Sequence, residues 1–254
     1  MNFLCAQAGE LPQPLVDSLA RYRYQVFVER LGWELPAAPG YEQDQFDHAG
    51  TVHIVARSPQ GQIVGCGRLL PTTGAYLLES VFPQLFNGLP IPRHEQVWEL
   101  SRFAAMDVDG GQPLTRADYM AERVLLQALR FCHARGVTHL LAVSTPPVER
   151  LLLRAGVECQ RLGPPDIIGG QPVLAFVIRV SDVSIRALAA FETAAEGQTA
   201  PVRPPRCDGA QALHSLVAMA HAQWIAAEAQ SLVAGAVDAA ATAAPGLHGG
   251  AALH

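Results

Sequence analysis

Val97-Trp-Glu-Leu-Ser-Arg-Phe-Ala-Ala105 has the aliphatic and aromatic content of a buried strand, yet a carboxylate and a guanidinium sit inside the run. An isolated buried charge costs several kcal/mol, so Glu99 and Arg102 must pair, hydrogen-bond or act chemically. On a regular strand, residues three apart point to opposite faces. For both charges to face one cavity, the strand must bulge near Leu100–Ser101, and bulges collect beside active sites. Taken in isolation, the stretch is better explained as a single structural ion pair. The rest of the chain shifts that balance.

Before this strand, Asn2–Ala8 reads as a short apolar strand. Pro12–Arg30 reads as a helix, with Leu15, Leu19, Tyr22, Val26 and Phe27 at helical spacing and Gly32 as its stop. Arg23 and Phe27 are four apart and share one face of it. Pro36–Gly50 is a loop rich in Pro, Gly and acids, carrying Glu42, Asp44 and Asp47. Thr51–Arg57 and Gln62–Leu70 form a hairpin around Ser-Pro-Gln-Gly, and a short helix fits around Glu79–Phe86. After the strand, Thr115–Arg135 reads as a helix with a Thr115/Asp118 capping box and Gly136 as its stop. His139–Ser144 is a strand, Pro146–Ala155 a short helix, Glu158–Leu162 and Pro172–Val180 strands, and Asp182–Phe191 a final helix. This order predicts a mixed α/β sandwich with a splayed central sheet, the outline of a GNAT-like N-acyltransferase fold.

Composition narrows the function. The 254 residues are half apolar and carry a formal charge of −5, which argues against a nucleic-acid binder. All 18 basic residues are Arg, so a catalytic lysine, a Schiff base and a P-loop lysine are excluded in this chain. Cys5, Cys66, Cys132, Cys159 and Cys207 lie far apart with no metal-ligand spacing, as expected for reduced thiols in a cytoplasmic protein. No apolar run reaches membrane-spanning length, and Met1–Gly9 lacks the basic flank and length of a signal peptide. Neither a membrane nor a metal is expected.

Composition changes at about Ala194, dividing a catalytic domain at 1–193 from an Ala-rich extension at 194–254. Pro201, Pro204 and Pro205 make a linker, Asp208 an N-cap, and Gln211–Ala241 an apolar helix. With so few charges, that helix docks on the core, pairs between subunits in a homodimer, or stays partly disordered.

Arg23, Phe27, Trp33, Asp44, Asp47, Arg68, Glu99 and Arg102 come from four separate segments. Each has a plain account: Arg23 a surface charge, Asp44 and Asp47 loop solvation, Trp33 a core plug, Arg68 a strand-edge cation. Their surroundings nevertheless match a known pattern: Gln25-Val-Phe-Val-Glu-Arg-Leu-Gly-Trp33, Glu42-Gln-Asp-Gln-Phe-Asp47, Arg68-Leu-Leu-Pro-Thr-Thr73, Tyr76-Leu-Leu and Trp98-Glu-Leu-Ser-Arg-Phe103. From about Ala20 to Val180 the chain resembles the acyl-homoserine-lactone synthase family, the LuxI-type autoinducer synthases. The extension beyond Ala194 is not a shared feature of that family.

The resemblance implies an acyltransferase that joins S-adenosylmethionine, as substrate rather than cofactor, to an acyl chain on acyl carrier protein. It implies Glu99, Arg102 and Ser101 as catalytic residues, with Glu99 as general base for the attacking amine. Arg23, Phe27, Trp33, Asp44, Asp47, Arg68 and Phe103 are the implied S-adenosylmethionine site. In it Asp44 and Asp47 suit the cationic end, Arg23 or Arg102 the carboxylate, and the aromatics the sulfonium. Alternatively, Arg68 and Arg102 serve only to tie the acidic loop to the sheet. Leu100, Met120, Val124, Leu125, Ala142, Val143, Ser144 and Leu152 are the expected acyl-chain wall. In the family pattern the position of Ala142 is often Thr in enzymes that make 3-oxo products. Arg150 and Arg154 are expected to dock the acidic carrier.

Two rivals follow from the same residues. Gln62-Ile-Val-Gly-Cys-Gly67 matches the pyrophosphate loop of acetyl-coenzyme-A-dependent N-acetyltransferases, but it sits in a strand pattern and runs into Arg68-Leu-Leu-Pro instead of a helix. A non-catalytic module that binds an adenosyl ligand would keep the aromatics and lose Glu99, which is present.

Overall fold

The computed structural model describes residues 1–108 and 118–197. Thr115 of the expected capping box, and the linker and helix expected beyond residue 197, lie outside those residues. Strands β1 (Asn2–Gln7), β2 (Val52–Arg57), β3 (Ile63–Pro71) and β4 (Val97–Ala105) form an antiparallel run. Then β4 pairs in parallel with β5 (His139–Ser144), which is antiparallel to β8 (Gln171–Arg179). Strands β6 (Cys159–Arg161) and β7 (Asp166–Ile168) both pair with β8. The sheet order is β1-β2-β3-β4-β5-β8-β6. β7 was not legible because Asp-Ile-Ile is too short to show a period.

Helices cover both faces, as the sandwich reading requires. One face holds α3 (Met120–His133), α4 (Pro146–Arg154) and α5 (Asp182–Ala195), whose Val124, Leu125, Leu152 and Leu188 pack on Ile54, Leu100, Leu140 and Phe176. α3 sits close to β3: a Cβ built on Gly65 would lie 2.9 Å from Val124 Cγ2. The other face carries α1 (Gln13–Arg23), which continues as wider π-type turns over Tyr24–Arg30, and the short α2 (Leu77–Val81). Helix α3 begins at Met120, with Tyr119 in a left-handed conformation just before it (φ 46°). At its far end Gly136 adopts φ 74°, the turn that stops it.

Two features of this sheet position the site. The parallel pairing of β4 and β5 ends at Leu100↔Ala142, while β4 continues to Ala105 along β3 and β5 continues to Ser144 along β8. The sheet therefore splays open from that pair onward. Second, β4 does bulge, but at Arg102–Phe103 instead of Leu100–Ser101. Cys66 pairs with Ala104 and Arg68 with Ser101, so Gly67 alone faces two residues of β4. Leu100 and Ser101 stay in register because Leu69, Arg68 and Ala142 pair with them. Arg102 takes the left-handed conformation (φ 49°), unusual for a residue with a side chain, and the Cys66 thiol donates to its carbonyl at 3.1 Å. The extra residue puts Arg102 on the face of Ser101 and leaves Phe103 against the α3-side core.

The composition break at Ala194 falls inside the last turn of α5, which extends past Phe191. Phe191 packs at a tilt against Tyr119 (ring centroids 5.2 Å apart) and Glu192 pairs with Arg130 at 2.9 Å. A chain ended after Gly197 is therefore expected to melt within about 3 °C of the full chain, equivalent to about 1 kcal/mol. One ended before Phe191 should melt lower. Thermal circular dichroism of the two truncations distinguishes these outcomes.

Candidate active site

The loop between α1 and β2 has no regular strand of its own, so its buried polar groups need partners from elsewhere. Three arginines supply them. Arg23, in the last turn of α1, holds Asp47 through both terminal nitrogens (2.8 and 2.9 Å) and Glu42 through Nε (2.5 Å). Arg68 of β3 bonds Asp44 at 2.5 Å and lies 3.2 Å from Asp47, while its Nε donates to Ser101 Oγ at 3.0 Å. Arg102, turned by the bulge, donates to Glu42 at 3.0 and 3.1 Å and to Asp44 at 2.7 Å. Arg23, Arg68 and Arg102 are all buried, as is Glu42, and three guanidinium groups meet three carboxylates. Burial acting alone would raise the Asp47 pKa; the Arg23 bonds and the Arg68 charge outweigh it and hold that carboxyl well below the usual range.

Glu99 stands outside this network. Glu99 and Arg102 do not pair, because Glu42 and Asp44 occupy the guanidinium first. One Glu99 oxygen accepts the Leu78 backbone N–H at 2.8 Å, and the other, buried, has no partner among the described residues. Burial pushes its pKa up to about 7, against the opposing pull of the Leu78 N–H and of Arg68. Arg68 Nη2 is likewise buried and unpartnered. Arg68 and Glu99 come from adjacent strands, opposite Ser101 and Leu70 respectively, so a free donor and a free acceptor share one face of the sheet.

Phe27 is buried and packs against Arg102, whose guanidinium carbon lies 5.7 Å from the ring centroid. Gly32, at φ 66°, reverses the chain so that Trp33 stacks on Phe27 at 4.8 Å. Trp33 is 44% exposed, so it is a platform at the surface and not a core plug.

Several assignments shift. Asp44 and Asp47, expected to meet the cationic end of a substrate, have their oxygens occupied by arginines. The forks of Arg23 and Arg102, expected to clamp a carboxylate, are filled by Asp47 and Glu42. Phe103 lies with the α3-side core instead of with the arginines. Of the expected acyl wall, Leu100, Met120, Val124, Leu125, Ala142 and Leu152 fall in one buried cluster. Val143 packs on the opposite face with Leu141, as strand alternation dictates, and half-buried Ser144 returns to the side of Ala142. Glu42 was missed. It was visible only as the first acid of Glu42-Gln-Asp-Gln-Phe-Asp47, and its burial could not be read from a loop. Gln62–Gly67 leads into and forms β3, not a phosphate loop at a helix start. No group of three or more His, Cys, Asp or Glu is placed to hold a metal among the described residues, and no helix among them is long and apolar enough to cross a membrane.

A splayed mixed sheet between two helical layers, with a buried carboxyl beside the split, defines an N-acyltransferase-like enzyme. The autoinducer synthase family model matches residues 10–188. The acyl-homoserine-lactone synthase of Acinetobacter nosocomialis is 42% identical over 184 residues, covering 71% of this chain and 100% of that protein. Among solved structures, TofI in a ternary complex with an inhibitor and MTA is 39% identical, covering 74% of this chain and 97% of that one, with a TM-score of 0.65. MesI, described as a CoA-dependent acyl-homoserine lactone synthase, is 26% identical over 75% of this chain and 95% of its own, with a TM-score of 0.65. The chain belongs to the autoinducer synthase family and is an acyltransferase, an acyl-homoserine-lactone synthase.

The raised Glu99 pKa has a consequence for stability. A carboxyl at about 7 in the folded protein and 4.5 when unfolded keeps its proton on folding at low pH. The folded state then loses stability as pH rises from about 4.5 to 7 and stays lower above that, by on the order of 3 kcal/mol. Glu99→Gln removes this dependence. Urea melts of both proteins at pH 5.5 and 8 should show the parent losing stability relative to the variant. A constant difference would mean that Glu99 is already ionised at the lower pH.

Proposed function

We propose that this synthase joins S-adenosylmethionine to an unsubstituted, medium-length acyl chain carried as a thioester on acyl carrier protein. The amine of S-adenosylmethionine attacks the thioester carbonyl, forming the amide and releasing the carrier thiol. The substrate carboxylate then displaces methylthioadenosine at the carbon bearing the sulfonium, which closes the lactone ring. The solved TofI complex with MTA supports the adenosyl half of this reading.

One observation carries the mechanism: among the described residues Glu99 is a buried carboxyl with no arginine partner and one oxygen unbonded, and its pKa lies near working pH. An attacking amine must be neutral, and Glu99 takes its proton as general base. The Phe27–Trp33 stack receives the adenine and the sulfonium, whose charge favours an aromatic face. Arg23, Arg68, Arg102, Asp44 and Asp47 act on the substrate through the shape they impose, while Ser101 orients Arg68. The acyl chain enters where the sheet splays, between Leu100 and Ala142, along Met120, Val124, Leu125 and Leu152.

For the donor, Arg150 and Arg154 favour a carrier protein. Both are exposed on α4 and have no acidic partner among the described residues, whereas Arg161 is paired with Glu149 and Arg130 with Glu192. Arg123 is buried over Phe3, and Arg135 stacks on Phe131. An acidic carrier is drawn to such an unpaired cationic helix. MesI uses CoA, so the assay includes matched acyl-coenzyme A thioesters.

Pure protein incubated with S-adenosylmethionine and either acyl donor is expected to yield acyl-homoserine lactone by mass spectrometry, faster from the carrier. Glu99→Gln should retain S-adenosylmethionine binding and lose amide formation by roughly 10²–10⁴-fold. Near-normal turnover by this variant would remove Glu99 from the base role.

Ala142 bears on the acyl group itself. It has no hydroxyl for a 3-oxo oxygen, which would be buried unsatisfied at a cost of about 1–3 kcal/mol. The kcat/KM for unsubstituted carriers should exceed that for matched 3-oxo carriers by about tenfold or more, and Ala142→Thr should narrow the gap. Equal rates in the parent would show that Ser144 or another donor serves the 3-oxo group.

A further inference from the structure

Glu42, like Asp44 and Asp47, is a carboxylate on which two of the three buried arginines converge, and it is the one that takes Arg23 and Arg102 together. Its Oε2 accepts from Arg23 Nε at 2.5 Å, and its Oε1 accepts from Arg102 Nε and Nη2 at 3.1 and 3.0 Å. It is 1% exposed, and its backbone N–H bonds the Ala20 carbonyl of α1 at 3.1 Å. We propose that Glu42 is a positioning residue for Glu99: it supplies the third negative charge that holds Arg23 and Arg102 toward the acidic loop and so leaves Glu99 without an ion-pair partner. The consequence for catalysis rests on the reading of Glu99 as base.

The charge count makes the case. Arg23, Arg68 and Arg102 face Glu42, Asp44 and Asp47, three against three, in a space where an unbalanced charge is costly. The groups around Glu99 are few. Arg68 faces it from β3, Arg102 from its own strand, and the α2 turn contributes the Leu78 N–H and the Tyr76 phenol, which donates to the Pro92 carbonyl. Among the described residues, Arg68 and Arg102 are the cations that act on Glu99, and both are already bonded to acids. Removing the Glu42 charge leaves Arg102 with Asp44 alone and the cluster one positive charge in excess. That excess favours ionised Glu99, making it a weaker base that keeps its anionic form to lower pH. Removing a guanidinium does the reverse.

This opposition of sign is what a merely structural role would not produce. The Glu99 carboxyl can be titrated directly by its infrared C=O band in the full chain without substrate, with Glu99→Gln as the assignment control. Glu42→Gln is expected to lower the midpoint by about 1 pH unit, Glu42→Asp to hold it near the parent value, and Arg102→Gln to raise it. The double variant Glu42→Gln/Arg102→Gln, neutral again, should titrate at or above the parent even if the single Gln variant does not fold. An unchanged midpoint, shifts of the same sign in Glu42→Gln and Arg102→Gln, or a double variant below the parent would overturn the proposal. The acid limb of kcat/KM is measured alongside. If the carboxyl midpoint moves and the acid limb does not, Glu42 keeps its positioning role and Glu99 loses the role of base.

Discussion

The fold around the active site depends on one neutral, buried cluster of three guanidinium and three carboxylate groups. It fastens a loop without regular secondary structure to the end of α1 through Arg23, and to the middle of the sheet through Arg68 and Arg102. Burying six charges is costly, and the cluster is sustained because nearly every oxygen and nitrogen has a close partner. The loss of any one member strands another charge in the interior. That is why the loop is held firmly although no ladder of backbone hydrogen bonds secures it.

The same cluster decides which acid is left without an arginine partner. Four carboxylates lie near the three arginines, and geometry assigns Glu42, Asp44 and Asp47 to them while Glu99 rests on the α2 turn. Burial then raises the Glu99 pKa, because the pull of Arg68 and Arg102 is weaker than burial and no ion pair to Glu99 forms among the described residues. The bulge at Arg102 contributes directly. Without the extra residue, Arg102 would share the face of Leu100 and point into the α3-side core, and Glu42 would lose one of its two arginines. Strain at one left-handed residue thus holds the network together.

The sheet's split is the second feature of this region. Leu100 and Ala142 are the last paired residues of β4 and β5, so the face bearing Glu99 and the apolar α3-side cluster meet at that point. Glu99 and Leu100, adjacent in sequence, look into opposite compartments because of strand alternation. A polar headgroup and an apolar tail can therefore reach one strand from its two sides.

The anchor strand Val97–Ala105, the β2–β3 hairpin, strand β5 and the helical spacing that groups Arg23 with Phe27 were all legible in the sequence, because each rests on local periodicity or on a charge inside an apolar run. The family pattern singled out Glu99, Arg68, Phe27 and Trp33 before any geometry was known. What the tertiary structure alone decided was pairing and exposure. Glu42 reads as an ordinary loop acid until two arginines from distant elements close on it. The bulge moved from Leu100–Ser101 to Arg102–Phe103 because neighbouring strands hold the earlier residues in register, and a single strand's sequence contains no information about its partners' register. Phe103 and Val143 likewise lie in the expected segments but pack against other surroundings. Which face a side chain meets is fixed by the elements packed there, and which of four nearby acids goes without an arginine is settled only when all of them are in place.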